Sequence, residues 1–297
     1  MASMIPAPAV PSPDRPADAA RISDARTAVR RPRLGQWALA VIVAAIVAWC
    51  LYAIATNPVM EWDVVLHYFT VPSVLRGLGM TIQLTVVAMV LGILGGILLA
   101  VMRMSSNRLL KAPADLYVWF FRGTPVLVQL IFWYNIAIFV PQLTIAIPFG
   151  PELVTLDTNS VVTPFVASIL GLALNEAAYM CEIVRGGLLS VPHGQREAAQ
   201  TLGLGRMRTL TRIVLPQAMP AIVPPTGNQV ISMLKGTSLV SVIAMNDLLY
   251  SVQAVYNQSY KVIPLLVVAC LWYLIATTIL NIVQTRIERH YGRGSRR

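Results

Sequence analysis

The sequence predicts an all-α, polytopic membrane helix bundle of about six transmembrane helices. Three observations predict it. Hydrophobic residues make up 56% of the 297 residues and charged residues only 12%, where a soluble domain carries about 25% charged residues. The mean hydropathy is +0.66. Uncharged runs recur that match the ~20 residues a helix needs to cross a bilayer.

The elements follow in order. Residues 1–35 are rich in Pro, Ala and Arg and lack apolar periodicity, which predicts a disordered cytoplasmic tail. Residues 36–56 form a first span, carried by the uncharged run Trp37 to Ala55. Ala53-Ile54-Ala55 has the form of a signal-peptide cleavage site. The run is longer than a signal's usual 7–15 apolar residues, roughly, and the tail before it is long, so an uncleaved anchor is favoured. Glu61 to Phe69 reads as a short amphipathic helix at the outer interface.

Gly77 to Met102 is the clearest span. Gly92, Gly95 and Gly96 within it mark a close helix contact. Leu116 to Val140 is apolar apart from Arg122, and Val161 to Val184 apart from Glu176 and Glu182. Ala218 to Met245 carries Pro220, Pro224, Pro225 and Gly227, which predict a broken helix. Val262 to Thr285 is the last span, followed by a basic cytoplasmic tail at 286–297. Cys50, Cys181 and Cys270 lie in apolar runs and read as small apolar fillers.

The net charge of +10 raises nucleic acid as a partner, but its distribution argues for lipid instead. All but three of the 23 basic residues fall on alternate segments, which the positive-inside rule makes cytoplasmic. The exceptions are Arg76 and Lys261 outside and Lys235 within a span. Both termini are therefore expected in the cytoplasm.

The longest inner loop, 186–216, reads as helix, break and second helix. Gln195 to Leu202 holds good helix formers, and Gly203 is placed to end them in a left-handed conformation. Met207, Leu210 and Val214 share the face of a second helix, which Pro216 closes. Such a hairpin suits docking to a soluble partner.

In this loop Glu197-Ala198-Ala199 is followed four residues later by Gly203, and Ile213-Val214-Leu215-Pro216 lies ten residues beyond. That pattern resembles the EAA signature of ATP-binding-cassette importer permeases. Phe121-Arg122-Gly123-Thr124-Pro125, Ala178-Tyr179-Met180-Cys181-Glu182, and Leu234-Lys235-Gly236-Thr237-Ser238 resemble the polar amino-acid uptake subfamily, which includes histidine and glutamine permeases. The resemblance covers about residues 70–290 and implies a five-span importer core plus one N-terminal span. One departure is Gly236, where many members carry Asp.

The resemblance implies that Glu197, Ala198, Ala199, Gly203, Leu215 and Pro216 couple to separate ATPase subunits. It further implies a periplasmic amino-acid-binding protein, a second permease chain (identical or homologous), and a place in the bacterial inner membrane. The chain has no G-x-x-x-x-G-K-[ST] loop, so it lacks that means of holding nucleotide phosphates. No catalytic role, cofactor or metal site is expected.

An ionisable group at membrane depth costs about 2.5–3.5 kcal/mol on insertion scales and marks a functional candidate. Glu176 lies about 22 Å into its span by helical rise, and Lys235 sits beside Gly236, Thr237 and Ser238. A zwitterion needs partners for its ammonium and its carboxylate: Glu176 would supply the first, and Lys235 or backbone N–H groups near Gly236 the second. Two readings stand: substrate contacts, or an internal ion pair or hydrogen bonds that hold the bundle. Asn228 and Gln229 either line the path or satisfy carbonyls freed by Pro224 and Pro225. Glu182 and Arg185 read as an interface pair, and Arg122 as a residue that snorkels or caps a helix end. The competing reading of the whole chain is an ion-coupled transporter or channel working without an ATPase.

Overall fold

A computed structural model describes residues 34–146 and 152–292. The expected tail lies outside the described residues up to position 33, as do positions 293–297 of the basic tail. The chain divides into two units, 1–57 and 58–297. The described part of the first is one helix, α1 (Leu34–Thr56), which corresponds to the first expected span.

The second unit opens with the short helix α2 (Trp62–Phe69) and then α3 (Pro72–Arg103). Helices α4 (Arg108–Gly123) and α5 (Val126–Tyr134) follow. Next comes an antiparallel pair, β1 (Gln142–Ala146) with β2 (Glu152–Asp157), and the turn α6 (Thr158–Val161). Helix α7 (Pro164–Leu189) leads to the hairpin α8 (His193–Thr201) and α9 (Arg206–Thr209). The chain continues through α10 (Leu215–Gly236), a 3₁₀ segment at Thr237–Ile243, α11 (Leu248–Ser259) and α12 (Val262–Gly292).

Among the described residues, α1, α3, α7 and α12 are long and apolar enough to cross a membrane. Two bent pairs raise the number to six if each is one span: α4 with α5, and Arg206–Ile243 with α11. The all-α bundle expected from composition is therefore present. The β1–β2 pair, between α5 and α6, is an addition that polar Thr and Gln alternation did not announce.

Helices α3 and α7 run parallel, and their contact carries the bundle. Cβ atoms added at Gly92 and Gly95 would stand 2.6 Å from Glu176 Cγ and 3.0 Å from Ala177 Cβ. At Gly96 an added Cβ would meet Met180 Cβ, with the Cys181 nitrogen 2.9 Å away. Small residues let the backbones approach this closely, as membrane helices do where lipid offers no hydrophobic drive to associate. The main core adds Leu84, Ala88, Leu130, Leu172, Met233 and Val240. Phe69 stacks on Trp272 with centroids 4.6 Å apart, and Glu61 pairs with Lys261, fixing α2 to α12. Cys181 is buried on α7, and Cys50 and Cys270 are exposed on α1 and α12.

Three expectations need correction. The run Leu116 to Val140 is not one helix: α4 and α5 meet at 103°. Thr124 and Pro125 adopt extended backbone at the bend, as the residue before a proline tends to do. The prolines of the fifth span do not break it either. Helix α10 is continuous through Pro220, Pro224 and Pro225. Its regular winding gives way only after Gly236, where the tighter 3₁₀ turns begin. There Thr237, Ser238 and Ser241 each donate a hydroxyl to a carbonyl three residues back, at 2.7, 2.8 and 2.8 Å. Finally, Pro216 does not close the hairpin. It is the second residue of α10. The wider turn at Leu210–Val214 leads straight into that helix.

Candidate functional site

The 186–216 loop forms the hairpin. Helix α8 ends in a Schellman motif. Gly203 takes φ +71°, its N–H donates to Gln200 O at 2.9 Å, and the Leu204 N–H donates to Ala199 O at 3.0 Å. A Cβ at a positive φ is strained, so glycine suits this position. Ala199 is buried under the hairpin, whereas Glu197, Ala198 and Gly203 face outward. Arg196 anchors α8 by donating to Leu188 O at 2.9 Å. Gln217 of α10 donates to Gln195 Oε1 at 3.4 Å.

The expected helical face of Met207, Leu210 and Val214 divides. Val214 is buried, whereas Met207 and Leu210 are exposed, as is Leu202, which sequence reading passed over. Leu202 and Met207 give the hairpin exposed apolar side chains. Leu215 lines an apolar cavity of about 590 Å³ between α3, α7, α10 and α12, and Pro216 is exposed in the first turn of α10.

The expected path residues fall into two environments. Glu176 is buried on α7 against Gly92, and its Oε1 has no hydrogen-bond partner among the described residues. Lys235 is exposed on α10. The ion pairs among the described residues include neither, so the chain does not join Glu176 to Lys235. Thr237 and Ser238 direct their hydroxyls to their own backbone.

Asn228 is exposed and accepts from Gln284 Nε2 at 2.9 Å, and Gln229 is half-buried. Gln284 Nε2 of α12 also donates to the Pro224 carbonyl at 3.4 Å. Asn228, Ser232 and Lys235 all lie exposed, at helical spacings of four, three and seven, on one stripe of α10. Ser232 escaped the sequence reading because a serine in an apolar run carries no charge signal.

A polar stripe on a membrane helix is costly against lipid. It is accommodated where it faces water or another protein surface.

Glu182 is a larger hub than the expected pair with Arg185. Its Oε2 receives Arg185 at 2.8 Å, and its Oε1 receives Arg103 at 2.8 Å and Arg122 at 3.0 Å. Arg103 also reaches Asp115 at 2.6 Å. Arg122 thus neither snorkels alone nor caps a helix. Its guanidinium also lies 5.5 Å from the Tyr179 ring centroid, within cation–π range.

The α4–α5 bend is tied to α7 by two amides. Gln129 Nε2 donates to Phe121 O and Thr124 O, each at 3.1 Å, and to Thr124 Oγ1 at 2.7 Å. Asn175 Nδ2 donates to Phe121 O at 2.8 Å. These bonds occupy carbonyls that the break leaves without helical partners. Asp247, fully buried, caps α11 by accepting from Leu249 and Tyr250 at 3.2 and 2.9 Å.

Residues 92–293 match the family described as binding-protein-dependent transport system inner membrane component. The chain is 41% identical over 266 residues to the arginine transport system permease protein ArgU of Corynebacterium glutamicum, covering 89% of this chain and 82% of that one. It is 35% identical to the L-cystine transport system permease protein TcyB of Bacillus subtilis, covering 82% of this chain and 96% of that one. Among solved structures, an amino acid ABC transporter crystallised with histidines aligns with a TM-score of 0.63 and 33% identity, over 74% of this chain and 94% of that one. The fold and the site define a multi-pass membrane transport subunit. The chain belongs to the binding-protein-dependent transport system inner-membrane component family. Membership sets aside the ion-coupled transporter or channel.

Proposed function

We propose that the chain, a permease subunit of an amino-acid ATP-binding-cassette importer, carries a polar amino acid inward along a path beside α10. A second permease chain, identical or homologous, faces the stripe of Asn228, Ser232 and Lys235. A periplasmic binding protein delivers the amino acid to the outer face. ATPase subunits receive the hairpin at Glu197, Ala198 and Gly203, with Leu202 and Met207 as apolar contacts. Both termini lie in the cytoplasm.

The domain division is read likewise: a tail over 1–35, an added span over 36–56, and the importer core over 70–290 with its coupling loop at 186–216. ATP hydrolysis belongs to the partner chains.

The observation that carries the reading is the hairpin, with exposed apolar side chains and a rigid cap, on a chain without a phosphate-binding loop. Motion imposed on it passes directly into α7 and α10. Glu176 and Lys235 then act as separate contacts for the ammonium and carboxylate of the cargo.

The test is uptake of labelled amino acids into vesicles holding the chain with its ATPase and binding protein. Uptake should require ATP and both partners. Uptake on a proton or sodium gradient with the ATPase absent would refute the reading. Lys235→Met should lower uptake while the complex assembles normally, and full uptake would remove Lys235 from the path.

A further inference from the structure

The geometry points to a binding site for an anionic phospholipid headgroup beside the Glu182 cluster. The cavity there measures about 430 Å³ and is lined by Arg103, Asp115, Trp119, Arg122, Tyr179 and Glu182, among others. Three guanidinium groups, from Arg103, Arg122 and Arg185, converge on the cluster against two carboxylates, Glu182 and Asp115. The cluster therefore holds an excess of positive charge. Arg122 uses Nη1 for Glu182, and its side chain is 42% exposed. That leaves donors for a phosphate, which a planar guanidinium fork suits.

The second half of the argument is apolar. Leu109, Leu116, Trp119 and Phe120 recur at helical spacing on α4, and all four are exposed. The opposite face buries Ala114, Val118 and Phe121. Both Asp115 and Arg122, about two turns apart on α4, reach the same cluster, which ties α4 to α3 and α7. Helix α4 meets α5 at 103°.

An amphipathic helix with an exposed apolar stripe beside arginines is a membrane-surface element. Basic pockets between membrane helices take lipid phosphates. Acyl chains lie along Leu116, Trp119 and Phe120, and the phosphate sits on Arg122. Phosphatidylglycerol is the chemistry that fits: one negative phosphate and no amine to meet the arginines.

The full-length chain is reconstituted into phosphatidylcholine vesicles containing a small fraction of either brominated phosphatidylglycerol or brominated phosphatidylcholine. Trp119 quenching is isolated as the difference between the wild type and Trp119→Phe. Brominated phosphatidylglycerol should associate about five-fold more strongly than its zwitterionic counterpart. Arg122→Gln should abolish most of that preference, and added inorganic phosphate should leave it intact. Equal quenching by the two lipids in the wild type would overturn the site without any appeal to a variant. An unchanged preference in Arg122→Gln would overturn it too. Displacement by inorganic phosphate would show a free-anion site and refute the lipid assignment.

Discussion

Glu176 and Gly92 are in van der Waals contact across the α3–α7 interface: a Cβ placed on that glycine would stand 2.6 Å from Glu176 Cγ. The carboxylate is thereby held on one side by backbone, and its Oε1 is left without a hydrogen-bond partner among the described residues. Gly92→Ala should force Glu176 or the helix to shift. Overpacking of this kind costs about 1–3 kcal/mol. The melting temperature of the assembled complex should fall, and uptake with it. A Gly92→Ala complex with wild-type melting and uptake would show that the contact has slack. Glu176→Gln keeps the shape, so it should leave melting near wild type while lowering uptake of cationic cargo more than neutral cargo.

The bend between α4 and α5 rests on Gln129 and Asn175. Gln129→Leu removes four hydrogen bonds, one of them accepted from Asn175, but leaves Asn175 on the Phe121 carbonyl. A loss of about 1–3 kcal/mol is expected, from an orphaned carbonyl at Thr124. Asn175→Leu alone should cost less. Together the two should cost more than their sum, because the second removes the remaining partner of Phe121. Denaturation of the single and double variants in one detergent decides it, and strict additivity would count against a shared role.

Glu182 receives three arginines, so its loss should outweigh the loss of any one of them. Glu182→Gln leaves Arg103, Arg122 and Arg185 facing each other. Stability should drop more than in Arg185→Gln, and added salt should restore part of it by screening the repulsion. Equal losses in the two variants, with no salt effect, would mean that the cluster is not acting as a unit.

Gly203 is the left-handed residue of the hairpin cap. Gly203→Val places a β-branched side chain at φ +71°, a strain of about 1–3 kcal/mol. No atom lies within 4 Å of the space its Cβ would enter, so the effect is on backbone and not on packing inside the chain. Uptake per ATP hydrolysed should fall while the bundle melts near its normal temperature. An unchanged ratio would argue that the hairpin does not carry the coupling.

Much of the bundle was legible because lipid imposes a simple rule on sequence: long uncharged runs. Helices α1, α3 and α12 follow it closely, and α7 does so apart from its few charged residues. The hairpin was legible for a different reason, since Gly203 has a use that only a few residue types meet. What stayed hidden depended on contacts between distant elements. The α4–α5 bend is masked by apolar continuity from Leu116 onward, although Thr124-Pro125 carried a hint. Beyond the local Glu182–Arg185 pair, which the sequence did suggest, the cluster joins residues 12 to 79 positions apart, and no local pattern announces that. Ser232 became visible only once the helix fixed which residues share its exposed side. The prolines misled because a membrane helix surrounded by protein keeps its course despite the N–H groups they lack.

Helix α10 is one unbroken rod from the hairpin to the 3₁₀ segment. A rod without a joint cannot absorb a push at one end; it must deliver it at the other. The winding of this rod changes only beyond Gly236, where the tighter 3₁₀ turns begin, and not at the prolines.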